Sequence, residues 1–108
     1  MSKQNYYQQV YDVTQMIPEG RVSTYGAIAD YLSLGSARMV GWALGKSFSG
    51  ISGVPAHRVV NSKGELSGRA SFSHPDLMQQ LLEEEGVKVN NHKVQNFKKL
   101  LWKPIDYL

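Results

Sequence analysis

The 108-residue sequence contains no cysteine. This excludes a disulfide framework, a thiolate metal site and a thiol nucleophile, and leaves hydroxyl, imidazole, carboxylate and amine groups to carry any chemistry. No apolar run approaches the length needed to span a bilayer, and the opening MSKQNYYQQV lacks the apolar core of a secretory signal. The expectation is a cytoplasmic protein, nucleoid-associated if bacterial, with no membrane contact. Repeats, low-complexity tracts and long linkers are also missing, so residues 1–108 are expected to form one domain. His57, His74 and His92 are too scattered for a helical metal motif, and neither a metal nor another cofactor is expected.

The composition is that of an ordinary globular chain, with 42% hydrophobic and 19% charged residues. Its net charge of +3 is unevenly distributed, because Glu83, Glu84 and Glu85 are adjacent. Between Arg21 and Arg69, the cations Arg21, Arg38, Lys46, Arg58, Lys63 and Arg69 are opposed only by Asp30 and Glu65. That surplus suits a phosphate-facing surface, but a solvated basic face has the same composition, so position must decide.

Tyr6, Val10, Val13 and Ile17 lie on one face of a first helix, which Pro18 and Gly20 stop. Ser23 or Thr24 can cap a second helix whose apolar side is Tyr25, Ile28, Ala29 and Leu32. Leu34-Gly35 reads as a short turn, and Ser36 as the cap of a third helix that runs to Lys46 and packs through Val40, Ala43 and Leu44. Two short helices joined by a tight turn predict a helix-turn-helix.

Arg38, Gly41, Trp42 and Gly45 fall opposite the apolar stripe of the third helix. Each glycine weakens a helix by about 1 kcal/mol relative to alanine, which suggests a surface that something approaches closely. Arg38 sits in the first turn, where the helix dipole favours anions, so a partner explains it better than helix stability does.

Farther on, Val59-Val60 and Glu65-Leu66 flank Ser62-Lys63-Gly64 like a short hairpin. Ser73 and Asp76 read as a capping pair, with Pro75 in the first turn of a helix carrying Leu77, Met78, Leu81 and Leu82 and closed by Gly86. Val94, Phe97, Leu100, Leu101 and Trp102 should dock the tail, with Pro104 closing it. The segment Pro55-Ala56-His57-Arg58-Val59 has a base but no adjacent nucleophile, since alanine offers neither proton nor lone pair.

The stretches IPEGRVSTYGAIADYL, GSARMVGWALGKS and VPAHRVVNSKGELSG resemble the DNA-binding domain of the O6-alkylguanine-DNA alkyltransferases, across about residues 4–102. Repair-active members carry Pro-Cys-His-Arg-Val. Here Ala56 stands at the acceptor position, a pattern similar to the alkyltransferase-like proteins, in which alanine or tryptophan replaces the cysteine. The resemblance implies a mainly α, winged helix-turn-helix-like domain with a short β-hairpin, monomeric and non-enzymatic, that enters the minor groove of double-stranded DNA containing O6-alkylguanine and flips the nucleotide.

By the same resemblance, Arg38 fills the vacated space in the duplex and Tyr25 presses on the neighbouring phosphate. Thr24, Ser36, Gly41, Trp42 and Gly45 belong to the DNA surface. Val54, Pro55, Ala56, Val59 and Ser67 form the lesion pocket, with Arg69 sensing the modified oxygen. His57 and Glu85 match the pair that activates the thiol in active relatives; without one, they are expected to be structural. The resemblance also implies handover to nucleotide excision repair proteins and shielding of the lesion from a true alkyltransferase.

Two other readings compete. A sequence-specific helix-turn-helix regulator would need a dimer interface, and the chain shows no extra dimerisation helix. An enzyme would be either a hydrolase, for which neither Ser52 nor Ser67 evidently has a Ser-His-acid arrangement, or an alkyltransferase with another acceptor, for which oxygen or nitrogen at neutral pH is a poor substitute for a thiolate.

Overall fold

Tyrosines bind the first helix to the third. In the computed structural model, which describes residues 3–47 and 53–108, α1 (Lys3–Gln15) lies against α3 (Ala37–Lys46). The Gly/Ser-rich run around Ser52 lies outside the described residues. Tyr11 donates its hydroxyl to the Ala43 carbonyl at 2.7 Å and Tyr6 donates to Met39 at 2.9 Å, so α3 is held by hydrogen bonds as well as by Val10, Val13 and Ile17. Between α1 and α3 runs α2 (Tyr25–Tyr31), preceded by the two-residue strand β1 (Ser23–Thr24). Thr24, not Ser23, caps α2: its side chain accepts from the Ala27 N–H at 3.0 Å. Among the described residues, the buried Ser23 hydroxyl has no hydrogen-bond partner.

The α2–α3 turn differs from the sequence expectation in its pivot. Ser33, at φ 58°, takes the left-handed position and Gly35 does not. The Leu34 N–H returns to Ala29 O at 2.9 Å and Ser33 to Asp30 O at 3.2 Å, which is the Schellman closure built on a serine. Ser36 occupies the cap position of α3, but its side chain makes no capping bond.

The predicted hairpin is in a different place. A turn of Ala56–Arg58 leads into β2 (Val59–Val60), which pairs with β1 in parallel, Ser23 opposite Val59 and Thr24 opposite Val60. The Ser62-Lys63-Gly64 turn does form, with Asn61 N–H bonded to Glu65 O at 3.1 Å, but it delivers Glu65 to Lys93 instead of back to β2. The antiparallel hairpin is β3 (Val89–Asn90) with β4 (Lys93–Val94). Asn91 and His92, at φ 53° and 60°, form its two-residue turn, the conformation in which asparagine is favoured. Asn-Asn at 90–91 was the available signal.

Helix α4 (Leu77–Glu84) also starts later than expected. Asp76 is its N-cap position, no side-chain bond links Ser73 and Asp76 as a capping pair, and Pro75 lies outside the helix. Gly86, at φ 88°, closes it through Gly86 N–H to Glu83 O and Val87 N–H to Leu82 O. The tail forms α5 (Phe97–Leu100) and α6 (Pro104–Tyr107), so Pro104 opens a helical turn instead of ending the chain's structure. Arg21 fixes this tail by donating to the carbonyls of Leu100 and Leu101 at 2.9 and 2.8 Å, while Trp102 stacks on Tyr107.

Two apolar clusters meet at β2. Val59 faces the cluster of Val10, Ile17, Ile28, Val40 and Leu44; Val60 faces that of Val22, Leu66, Met78, Leu82 and Val94. Alternation along a strand sends adjacent valines to opposite sides, so two residues join both cores behind the helix-turn-helix.

Candidate nucleic-acid interface

An open depression of about 410 Å³ lies between the outer face of α3 and the Ser67–Phe72 loop, within the size range of small-ligand sites. Of the residues expected at the DNA surface or lesion pocket, it gathers Tyr25, Arg38, Gly41, Trp42, Gly45, Ala56 and Ser67. Trp42 is 56% exposed, unusual for an indole. Ala56 is 7% exposed and lines the depression, so its floor at this point is a methyl group.

Other expected residues fall elsewhere. Val59 is fully buried in the core, and neither Val54 nor Pro55 lines the depression. Arg69 donates to the Leu66 carbonyl at 3.0 Å and is also off the lining. Thr24 is occupied as the cap of α2, and Ser36 is exposed before α3. Gly68 lines the depression too, as expected of the Ser-Gly-Arg segment, whereas sequence reasoning missed Ala37, Leu44, Ser71 and Phe72. Phe72 carried a signal, since a large aromatic just beyond the Ser-Gly-Arg segment has to be covered by something.

Among the described residues, nothing packs against the glycines of α3 that would require glycine. A Cβ added at Gly41 or Gly45 would meet nothing within 4 Å among the described residues. Replacing either by alanine should therefore stabilise the helix by about 1 kcal/mol. The same substitutions should weaken binding to duplex DNA, because the added methyl stands on the approach surface. Thermal unfolding and a DNA titration on Gly41→Ala and Gly45→Ala would show these opposite signs; gain of stability with unchanged DNA affinity would remove the close-approach role.

Gly68 is the opposite case. Its added Cβ would lie 2.6 Å from the Tyr25 hydroxyl, so glycine here makes room for the tyrosine tip. Burial raises the Tyr25 pKa, and a hydrogen bond with Ser67 partly offsets that rise, so the phenol stays neutral at physiological pH.

Beneath Ala56, His57 and Glu85 do meet, His57 Nε2 and Glu85 Oε2 lying 2.8 Å apart. Arg58 joins them, donating from Nε to Oε1 at 3.0 Å and from a terminal nitrogen to Oε2 at 2.7 Å, with its other terminal nitrogen on Ile17 O at 2.8 Å. Burial alone would raise the Glu85 pKa, but hydrogen bonds and charge from Arg58 and His57 outweigh it and bring it down to about 2. Arg58 and Arg21 are therefore internal braces, not members of the phosphate-facing surface that the charge count suggested.

Residues 5–87 match the family described as 6-O-methylguanine DNA methyltransferase, DNA binding domain. The chain belongs to this alkyltransferase family. Within the family it is similar to alkyltransferase-like protein 1 of Schizosaccharomyces pombe, 39% identical over 96% of this chain and 100% of that one. It is also 40% identical to a DNA base-flipping protein of Vibrio parahaemolyticus, over 89% of this chain and 94% of the other. The crystal structure of the S. pombe protein in complex with damaged DNA containing O6-carboxymethylguanine superimposes with a TM-score of 0.81 at 39% identity, covering 96% of this chain and 100% of that one. These alkyltransferase-like relatives match essentially end to end. Among the described residues of this family member, no helix is long and apolar enough to cross a membrane.

Proposed function

We propose that this alkyltransferase-family member recognises O6-alkylguanine in duplex DNA without repairing it. The observation that carries the reading is Ala56: a buried methyl group at the depression beside α3, where group transfer would require a nucleophile. With no cysteine in the chain, the site can accept a flipped base and its alkyl group but has no thiolate to receive that group.

Flipping costs roughly a few kcal/mol, less at a weakened base pair, which gives selectivity before any contact to the alkyl group. Arg38 takes the place of the extruded nucleotide, Tyr25 turns its phosphate, and α3 lies in the minor groove with Gly41 and Gly45 against the backbone. The flipped base sits beside Ala56 and Ser67; Arg69 reaches the modified oxygen by exchanging its Leu66 contact for the ligand. Val59 shares the apolar cluster of Ala56, and Val54 packs against that cluster, behind the wall.

The protein acts as a cytoplasmic monomer, nucleoid-associated if bacterial. It marks the lesion for nucleotide excision repair and, while bound, shields it from an active alkyltransferase. A major-groove regulator would have no use for a base-sized depression beside its recognition helix.

The test is a titration of two duplexes that differ only in one O6-methylguanine, at a stated salt concentration. Expected is at least about tenfold tighter binding to the lesion duplex, with no mass gain on the protein after incubation. Equal affinities would reduce the site to nonspecific DNA binding, and a gain of one methyl group would make the protein an enzyme.

A further inference from the structure

Residues 88–108, beyond the span of the family match, carry Lys88, Lys93, Lys98, Lys99 and Lys103 against one acid, Asp106. Lys93, Lys98 and Lys99 join Lys63 around a second shallow depression that shares no lining residue with the one beside α3. All four lysines are exposed, and among the described residues none has an ion pair. Glu65 pairs with Lys93 across an isolated bridge, but its carboxylate accepts from Asn61 Nδ2 at 2.9 Å. Arg21, Arg58 and Arg69, by contrast, all have internal acceptors.

The base of this patch is firmly built. Gly64, at φ 80°, sits so close to Phe97 that an added Cβ would stand 3.0 Å from the ring. Val94 N–H bonds to Gly64 O and Gln95 N–H to Lys88 O, each at 2.8 Å. Gathering four ammonium groups around one exposed carboxylate, Glu65, leaves an excess of three positive charges on this base, so an external polyanion is the natural counterpart. Lys63 and Ser67 are joined by chain that spans at most about 14 Å, about four base-pair steps along a duplex. A duplex seated over the α3 depression and extending several base pairs past Ser67 can therefore place phosphates within reach of Lys63, at the near edge of the lysine depression.

We infer that the lysine depression is a second phosphate-contacting surface, which holds the backbone of the same duplex beside the lesion. The inference rests on the DNA-recognition reading above and extends its footprint to the carboxy-terminal segment. Because lysines contact phosphates as point charges, the surface adds affinity and salt dependence without lesion preference.

The experiment compares the protein with the variant Lys63→Gln/Lys93→Gln/Lys98→Gln/Lys99→Gln in salt-series titrations of lesion and undamaged duplexes of about 25 base pairs. Removing one lysine–phosphate pair lowers the slope of log affinity against log salt by about 0.9. The expected loss is about 2–4 in slope and about 10–100-fold in affinity at low salt, equal on both duplexes, with one duplex bound per protein. An unchanged slope overturns the inference and leaves the lysines to solvent or to an acidic protein; binding of two duplexes overturns the same-duplex assignment. If the fourfold variant does not fold, Lys98→Gln/Lys99→Gln should show about half the loss in slope, and none would overturn the inference. Absence of lesion preference in the unmodified protein would remove the lesion reading alone, because the slope change is still read on undamaged DNA.

Discussion

Arg38→Ala is expected to weaken binding to a lesion-bearing duplex by about 10–100-fold, equivalent to about 1.4–2.8 kcal/mol, while leaving the unfolding temperature nearly unchanged. The two expectations have separate physical causes. Arg38 is exposed in the first turn of α3, where the positive end of the helix dipole opposes a cation, so folding loses little when it is removed. The vacated space in a duplex, in contrast, loses a group that can stack and donate hydrogen bonds, and the base-pair energy is no longer partly replaced. Titration of the variant with lesion and undamaged duplexes, alongside its thermal unfolding, checks both. Retained affinity would take the finger role away from Arg38; parallel loss of stability would make its role structural.

Glu85→Gln should have the largest effect on stability, about 2–4 kcal/mol, or about 10–20 °C in unfolding temperature for a domain of this size. Glu85 accepts from Arg58 through both oxygens and meets His57, with both partners largely buried. The neutral amide can still accept a hydrogen bond but carries no charge, so the only counter-ion left to Arg58 among the described residues is the exposed Glu19 at 3.9 Å, and the cation is poorly compensated. The Glu85 pKa is depressed on folding from 4.5 to about 2, so its contribution is fully present above about pH 4.5 and is lost as pH falls toward 2. Acid unfolding of the unmodified protein should show this limb and the variant should lack it. Lesion affinity measured where the variant remains folded should change little, because the network has no thiol to activate. An affinity loss as large as that of Arg38→Ala would give the network a direct part in binding.

Local pattern made the recognition half of the molecule legible. The apolar spacing of Ile28 and Ala29, and of Val40, Ala43 and Leu44, placed α2 and α3 because a helix writes its buried face into every third or fourth residue. The unfavourable pair Gly41 and Gly45 pointed outward for the same reason, and the open space around them agrees with that reading. The β-pairing was not legible. Val59-Val60 has the composition of any short buried strand, and nothing local says that its partner is Ser23-Thr24 in parallel instead of Glu65-Leu66 in a hairpin.

Residue identity and spacing alone establish that no thiol chemistry is possible, that a helix-turn-helix carries Arg38 and two glycines outward, and that Ala56 stands beside His57. These follow from residue identity and short-range periodicity. It takes the folded chain to show that Arg58 braces Glu85, that Arg21 holds the tail, that Val59 is core instead of pocket wall, and that Phe72 faces the depression. The reason is the nature of the partners: Arg21 and Arg58 donate to main-chain carbonyls 79, 80 and 41 residues away, and a carbonyl is the same in every residue. An arginine's charge is visible in the sequence, but whether it faces a phosphate or a distant backbone oxygen is set only when the chain folds back on itself.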